Sequence, residues 1–442
     1  MDVADLLQRL RAQPGGRQLL ELAPAGSFLV GGAVRDLLLG RVPRELDVVL
    51  AGVDGAAGPP PAARAVADFA GRLASSLGSL AGVASEHERF GTASVQWSGG
   101  RIDLAAARRE HYPASGALPE VEPAPLAEDL RRRDFTINAI AVALGRGTVA
   151  RGPGTAAWEA APRALEDLRA RRLRVLHERS FHDDPTRLWR LARYRVRLGF
   201  AVEERTAELA AAAVAEGALA TVSGARVGAE LRLALDEPDP VAALAELDRV
   251  GALGALHPRL RWEPALSVRA LELLEVGDGV SRASAAEDDR ADVLMLAALT
   301  LPLALRAQGE RGVEIRALLD RLEFAAAVRD RVAAAASAVP ALIDELPAAV
   351  GPAQLRALAR RVPAEGIALA GALDATAAAP ARLWLAELRH VRLRIGGADL
   401  LAAGLPEGPE VGRRLEETLR RRLEGELPDE REAQLRAALA AG

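Results

Sequence analysis

Strand-forming sequence is confined to the first third of this 442-residue chain, and this restriction limits the folds open to it more than any other feature. The predicted strands are short apolar runs between Gly-rich or polar turns, at residues 27–30, 46–50, 93–97 and 102–105. Between them, apolar residues recur at helical spacing over residues 34–39 and 63–77. The sequence therefore predicts a small mixed α/β domain at the N-terminal end.

Beyond Pro162 the pattern changes to Leu and Ala at helical spacing, interrupted by Gly and Pro. Predicted helices include residues 185–198, 203–215, 224–235 and 241–249. Breaks are predicted at residues 236–240 and near Pro340 and Pro347. Aromatic residues make up only 3% of the chain, so Leu, Ala and Val must form most of the core, and Leu and Ala favour helices. The predicted fold class is α+β, with a long helical remainder.

Composition excludes several kinds of site. The chain has no cysteine, which rules out disulfides, zinc-thiolate sites, iron–sulfur clusters and cysteine nucleophiles. Its first residues lack the apolar segment of a signal peptide, and charged residues interrupt every long apolar run. We therefore expect a cytoplasmic protein without a membrane partner. The net charge of −4 does not indicate nucleic-acid binding, although local basic patches decide that property.

A Gly-Gly pair follows the first predicted strand and opens a predicted helix. Gly31 and Gly32 would let the backbone approach a phosphate closely, and the helix start would present N–H groups to it. Arg35, one helical turn later, could add positive charge beside a triphosphate. A Gly-Gly pair alone is more often a tight turn, so the interpretation depends on what accompanies it.

Carboxylates accompany the Gly-Gly pair. Glu45 and Asp47 are two residues apart in a predicted strand, so both point to one face, and Asp103 emerges from another apolar strand. Three carboxylates beside a phosphate-binding turn predict a magnesium site for phosphoryl transfer, in which one ion activates the attacking hydroxyl and another stabilises the departing pyrophosphate. Each acidic feature alone could equally be a solvated strand residue.

Two further groups of charged residues support the prediction of a phosphoryl-transfer site. Arg131, Arg132 and Arg133 precede Asp134 and Asn138, which are four residues apart and are predicted to share a helix face that could hold a ribose or a phosphate-bearing loop. The alternative for this segment is an exposed, salt-bridged helix start.

The other group recurs at every third residue of a predicted helix: Asp184, Arg187, Arg190 and Arg193. A carboxylate and a guanidinium on successive turns could read the amine and ring nitrogen that adenine and cytosine both present, which would admit ATP and CTP and reject GTP and UTP. Alone, such a charged stripe is more often a solvated helix face.

Together these motifs resemble those of the class II tRNA nucleotidyltransferase and bacterial poly(A) polymerase family. They follow the order Gly-Gly-x-Val-Arg-Asp, acidic-x-Asp, Arg-x-Glu-x-Tyr, Asp-Leu-x-Arg-Arg-Asp-Phe-Thr-x-Asn-Ala and acidic-Asp-x-x-Arg. The resemblance is dense over residues 25–235 and loose over residues 393–438. One departure is Glu45, where the family usually has Asp; because magnesium tolerates little geometric error, we expect reduced tolerance but retained activity.

The resemblance implies a polymerase-β-like nucleotidyltransferase head followed by an all-helical neck, body and tail, over residues 1–145, 146–236, 237–345 and 346–442. It implies Mg²⁺ held by the catalytic carboxylates Glu45, Asp47 and Asp103. The candidate nucleotide-binding residues are Gly31, Gly32, Arg35, Arg133, Asp134, Asn138, Asp184, Arg187, Arg190 and Arg193. The tail is expected to bind tRNA, through arginines such as Arg413, Arg414 and Arg420 to Arg422.

The implied activity is addition of C and/or A from CTP and ATP to the 3′ end of tRNA. In this family, enzymes that add only CC have a shortened loop before the Arg-Arg-Asp motif, whereas residues 110–126 form a substantial loop here, which argues against CC-only addition. The C-terminal residues lack a basic extension, which favours tRNA over poly(A) synthesis. A-only addition, poly(A) polymerase activity and a non-catalytic tRNA-binding relative stay open as alternatives.

Overall fold

A computed structural model describes residues 3–51, 61–78, 81–87, 91–144, 158–275, 290–306 and 310–441. The chain divides into two compact units, Met1–Ser223 and Gly224–Gly442. The first contains every described strand and the second is helical, which confirms the predicted α+β architecture. The four-part division into head, neck, body and tail stays a prediction. Among the described residues, no helix combines the length and the apolar character that crossing a bilayer requires.

A seven-stranded mixed sheet is the centre of the first unit. Its strands are β1 (Ser27–Val30), β2 (Leu46–Leu50), β3 (Gly82–His87), β4 (Thr92–Trp97), β5 (Gly100–Ala106), β8 (Ile140–Ala143) and β9 (Trp158–Ala160). Their order is β3-β4-β5-β2-β1-β8-β9, and β2 pairs with β5 in parallel while the other described pairs are antiparallel. The four strands predicted from the sequence all lie in this sheet.

Helices cover the sheet and continue beyond it. The first unit contains α1 (Val3–Arg11), α2 (Gly16–Leu22), α3 (Gly32–Leu38), α4 (Pro61–Leu77), α5 (Leu126–Arg131), α6 (Ala164–Arg169), α7 (Ser180–Asp183), α8 (Thr186–Leu198) and α9 (Glu204–Ala215). Helix α4 buries Val66, Phe69 and Leu73 at its typical i, i+3, i+4 spacing. It contacts β3, β4 and β5, and so holds the strand that carries Asp103.

Two small sheets depart from the predictions for this unit. Strands β6 (Arg108–His111) and β7 (Glu120–Pro123) pair antiparallel, so the predicted loop over residues 110–126 is largely a hairpin. Strands β10 (Arg172–Leu173) and β11 (Ala201–Val202) pair in parallel. Because β9 also lies within residues 146–236, the prediction of an all-helical neck is wrong at these three strands. Arg171 and Gly199 adopt positive φ, which ends the preceding helices and turns the chain into extended segments.

The second unit is helical throughout its described residues. It contains α10 (Gly224–Leu235), α11 (Pro240–Arg249), α12 (Ala252–Leu256), α13 (Pro264–Glu275), α14 (Ala291–Leu305), α15 (Val313–Arg321), α16 (Ala326–Ala348), α17 (Gly351–Ala359), α18 (Ala364–Leu373), α19 (Ala375–Ala386), α20 (Gly397–Ala402), α21 (Pro409–Leu423) and α22 (Arg431–Ala440). Helix α18 is buried along almost its whole length, because α13, α14, α16 and α19 surround it.

Of the two predicted helix breaks, the first is confirmed and the second is wrong at Pro340. The break at residues 236–240 is confirmed, since α10 ends at Leu235 and α11 begins at Pro240. The second predicted break is wrong at Pro340, which lies inside α16, but α16 ends at Ala348, one residue after Pro347. A proline inside a helix removes one hydrogen bond, but the apolar face of α16 packs against α14 and α18, and this burial offsets the loss.

Candidate active site

Three carboxylates converge at the edge of β2 and β5. Asp47 lies on β2, directly opposite Asp103 on β5 in the parallel register, and Glu45 lies one residue before β2 begins. One oxygen from each carboxylate lies within 4.8 Å of the other two. Oxygen donors at this separation fit a hard divalent cation, so the three form a candidate metal-binding triad. Glu45 was predicted within the strand, and the structure places it just outside.

Burial and repulsion by neighbouring carboxylates raise the pKa of Asp47. Removal from solvent is the largest effect, and the charges of Glu45 and Asp103 add to it, so the pKa of Asp47 rises to about 7 despite the opposing charges of Arg133 and Arg190. At neutral pH the Asp47 carboxyl is therefore close to half protonated, and a bound cation would favour its ionised form.

The Gly-Gly turn lies directly against the triad. Gly31 joins β1 to α3 with φ 72° and ψ −136°, a conformation that L side chains avoid. A Cβ atom there would lie 2.9 Å from Arg133 Nη1 and 3.5 Å from Asp47 Oδ2. Gly32 begins α3. The absence of a side chain at Gly31 thus brings the turn, a guanidinium and the carboxylates together.

Arg133 is held in place by a buried acid. Its Nη2 donates to Asp129 Oδ2 at 3.0 Å, while Arg132 Nη2 contacts Asp129 Oδ1 at 2.7 Å. Burial alone would raise the pKa of Asp129, but the two guanidinium charges outweigh it and lower that pKa. Asp129 was not among the predicted site residues. Its three- and four-residue spacing from the arginines was the signal that could have identified it.

Arg35 lies inside the protein, with 2% of its surface exposed. Its Nε donates to Asp36 Oδ1 at 2.8 Å and its Nη1 to Asn138 Oδ1 at 2.7 Å, and its guanidinium lies 5.2 Å from the centre of the Tyr194 ring. The sequence suggested a triphosphate contact for Arg35. The structure directs its Nη1 to Asn138, and the triphosphate contact stays a prediction.

Asn138 extends this chain of contacts towards the second charged motif. Its Nδ2 donates to Asp134 Oδ1 at 3.0 Å, and Asp134 Oδ2 forms an ion pair with Arg190 Nη2 at 2.8 Å. The predicted α-helix through Asp134 and Asn138 is wrong: Phe135 is extended and bridges Val175, and a 3₁₀ turn, Thr136–Asn138, follows. The two side chains still meet, through the hydrogen bond from Asn138 to Asp134, across this short turn.

Only the arginines of the third motif lie on a helix. Asp184 lies between α7 and α8 in an extended conformation, and its Oδ1 accepts hydrogen bonds from Thr186 N at 3.0 Å and from Thr186 Oγ1 at 2.6 Å. Its predicted place on the helix with the arginines is therefore wrong. Arg187, on α8, is buried and donates to Ser180 Oγ at 2.6 Å and to the Arg132 carbonyl at 2.7 Å.

Tyr194, which sequence reasoning did not single out, is an aromatic centre for this region. The guanidinium groups of Arg190 and Arg193 lie 5.9 Å and 6.0 Å from the centre of the Tyr194 ring. The same ring also contacts the guanidinium of Arg35. Its hydroxyl accepts from Arg190 at 3.2 Å. Arg190 and Arg193 lie on α8 with Tyr194, whereas the tertiary fold brings Arg35 of α3 to the same ring.

Comparison with known proteins agrees with this geometry. The family described as "Poly A polymerase head domain" matches residues 27–152. The CC-adding tRNA nucleotidyltransferase of Deinococcus radiodurans is 40% identical over 284 residues, which cover 63% of this chain and 69% of that protein. The chain belongs to the tRNA nucleotidyltransferase family.

Other members of the tRNA nucleotidyltransferase family differ in length and in named activity. The A-adding tRNA nucleotidyltransferase of Geobacter sulfurreducens is 37% identical over 273 residues, but the match spans only 28% of that protein and 60% of this chain. The solved structure of the Thermotoga maritima CCA-adding enzyme complexed with tRNA is 27% identical, with a TM-score of 0.70, and the similarity covers 100% of this chain and 98% of that one.

The head-domain match contains part of the candidate site. It includes the carboxylate triad, the Gly31 turn and Asn138, whereas Asp184 and the arginines of α8 follow after its end. For this tRNA nucleotidyltransferase, the metal-binding and base-reading candidates therefore come from separate stretches of sequence that the first unit brings together.

Proposed function

We propose that this chain transfers nucleotides from CTP and ATP to the 3′ end of tRNA. The observation that carries the proposal is the convergence of Glu45, Asp47 and Asp103 beside the Gly31 turn and Arg133. Family membership supports the same reaction, and similar solved structures are CCA-adding enzymes in complexes with ATP and with CTP.

In the proposed reaction, the oxygen of the tRNA 3′-hydroxyl bonds to the α-phosphorus of the nucleotide as the bond to pyrophosphate breaks, and the hydroxyl proton is released. The carboxylate triad would hold Mg²⁺, which when bound supplies activation of the hydroxyl and stabilisation of pyrophosphate. Gly31 leaves room for phosphate close to the backbone, and Arg133 places positive charge beside it. Because Asp129 anchors Arg133, that charge is preorganised.

Nucleotide choice is assigned to Asp184 and Arg187. Thr186 holds the Asp184 carboxylate through two hydrogen bonds, and Ser180 with the Arg132 carbonyl holds the Arg187 guanidinium. Fixed in this way, an acceptor and a donor can match the edge that adenine and cytosine share. The chain from Arg35 through Asn138 to Asp134 would position this region relative to the triad.

The second unit offers a basic cleft that supports tRNA binding by the tail. The cleft has a volume of about 910 Å³, and its lining includes Arg331, Arg356, Arg360, Arg389 and Arg392. The tail arginines named from the sequence pair with acidic side chains, since Glu410 contacts Arg413 and Arg414, and Glu417 contacts Arg420. Three cleft arginines are paired as well: Glu365 contacts Arg331, and Glu416 contacts Arg356 and Arg360. We assign the phosphate contacts to the cleft because its arginines line one concave surface.

Incorporation of labelled CTP and ATP tests the proposed function. The substrates are a tRNA that ends before CCA and a tRNA that ends in CC, each with Mg²⁺. Asp47→Asn should abolish incorporation, whereas Glu122→Gln, which removes an exposed carboxylate on β7, should leave it unchanged. Appreciable activity in Asp47→Asn would contradict the metal assignment.

The same assay separates the alternatives. Completion of both substrates indicates CCA addition; extension only of the CC-ending tRNA by ATP indicates A-only addition; extension only of the shorter tRNA by CTP indicates CC addition. Long A tails on unrelated RNA indicate poly(A) synthesis. Binding of tRNA without any incorporation would support the non-catalytic relative and contradict the proposal.

A further inference from the structure

We propose that Arg101 is an exchangeable counter-ion of the carboxylate triad, which holds Asp103 in the metal-free protein and is displaced when a divalent cation binds. The inference rests on the proposed function for its assignment of a metal to the triad. It adds a positioning residue that neither the motifs nor the family resemblance identified.

The geometry of the pair is that of a two-pronged contact. Arg101 and Asp103 are two residues apart on β5, so their side chains lie on the same face. Arg101 Nε donates to Asp103 Oδ1 at 2.8 Å, and its Nη2 contacts Oδ2 at 2.7 Å. The guanidinium thus engages both oxygens of the carboxylate, the strongest arrangement for such a pair.

Arg101 and a metal ion would compete for the oxygens of Asp103. One of its oxygens lies within 4.8 Å of oxygens from Glu45 and Asp47, where an ion held by all three would be. A divalent cation there would face the positive charge of Arg101 across a single carboxylate, and the two cations repel each other. Metal binding therefore favours withdrawal of the guanidinium.

Arg101 is free to withdraw, in contrast to Arg133. The side chain of Arg101 is 46% exposed and that of Asp103 is 25% exposed, so water can replace the contact at small cost. Arg133 is 15% exposed and is tied to the fully buried Asp129. Arg133 is therefore a fixed guanidinium beside the triad, whereas Arg101 is an exchangeable one.

Two effects of opposite direction follow from removing Arg101. Without metal, three neighbouring carboxylates would lose a neutralising charge, so the protein should become less stable. With metal, the cation would no longer compete with Arg101 or be repelled by it, so binding should become tighter. An arginine with a purely structural role would not strengthen metal binding when it is removed.

The test is Mn²⁺ binding by the full chain, followed by electron paramagnetic resonance of the free ion, together with thermal unfolding in EDTA. Arg101→Gln should bind Mn²⁺ about twofold to fivefold more tightly at low salt, the range that an exposed ion pair supplies, and the gain should shrink in 0.5 M salt, roughly as screening predicts. Its Tm in EDTA should fall. Arg101→Lys, which retains the charge but not the two-pronged contact, should lie between Arg101→Gln and the wild type in both measurements.

Arg109→Gln is the matched control, because it removes an exposed arginine that pairs with Glu122 outside the triad. It should leave Mn²⁺ affinity unchanged. Unchanged or weaker binding in Arg101→Gln, with binding that still depends on Asp47, would overturn the counter-ion role alone. Wild-type binding that is absent or insensitive to Asp47→Asn would overturn the metal assignment and the counter-ion role together.

Discussion

Replacing Asp47 with Asn should stabilise the metal-free protein at pH 8 while it removes activity. The pKa of the Asp47 carboxyl rises from 3.8 to about 7, chiefly through burial and then through Glu45 and Asp103. A shift of about three units, at about 1.4 kcal/mol per unit, sets an upper limit of about 4 kcal/mol on the cost of the ionised side chain. Because the side chain is only partly buried, we expect a gain of about 1–3 kcal/mol.

The stability gained by Asp47→Asn should increase as the pH rises. Between about pH 4 and pH 7 the folded wild type binds more protons at Asp47 than the unfolded chain does, so its free energy of unfolding falls as the pH rises through this window. Asparagine does not titrate, so the variant lacks this fall. The difference between the two proteins should be small at pH 4, grow towards pH 7 and remain constant above it.

Thermal unfolding in EDTA at pH 5 and pH 8 measures the difference, with Glu122→Gln as the control. A gain of this size corresponds to a Tm increase of roughly 2–10 °C at pH 8. Added Mg²⁺ should raise the Tm of the wild type but not that of Asp47→Asn. If the variant is less stable than the wild type at pH 8, or if the difference is the same at both pH values, the electrostatic reasoning is refuted.

Three further substitutions test the surroundings of the triad. Gly31→Ala would force a side chain into a positive-φ position against a guanidinium, so nucleotide incorporation should fall roughly 10- to 100-fold in a steady-state assay. Asn138→Ala removes a buried partner of Arg35 and should lower the free energy of unfolding, measured by urea titration, by about 1–3 kcal/mol. Thr186→Val loses the hydroxyl that holds Asp184, so misincorporation of GTP and UTP relative to CTP and ATP should rise about threefold to tenfold in competition assays.

Local patterns predicted much of the first unit because their information lies in neighbouring residues. Strands β1 and β2 coincide with the predicted residues 27–30 and 46–50, since apolar β-type runs between turns specify a strand without reference to the rest of the chain. The helix α10 likewise coincides with the predicted residues 224–235. The spacing of apolar residues and the turn-forming residues at each end are properties of a short stretch of sequence, and they were sufficient to predict these elements.

Short stretches of sequence could not predict contacts between segments that are distant along the chain. Pro340 indicated a break by its missing N–H, yet packing along α16 outweighed that local cost. Asp134 and Asn138 suggested a helix face, but the extended Phe135 and the 3₁₀ turn bring them together in another way. In both cases tertiary burial changed a local preference worth only a few kcal/mol.

The sequence by itself determined which residues carry charge, which strands bear Asp47 and Asp103, and that a glycine turn stands before them. Only the tertiary structure decided that β2 and β5 pair in parallel with Asp47 opposite Asp103, that Arg35 is buried against Asn138, and that Arg101 engages the triad. The physical reason is that a charged side chain gains or loses electrostatic energy according to what lies within a few ångströms, and strand order and helix packing set those neighbours.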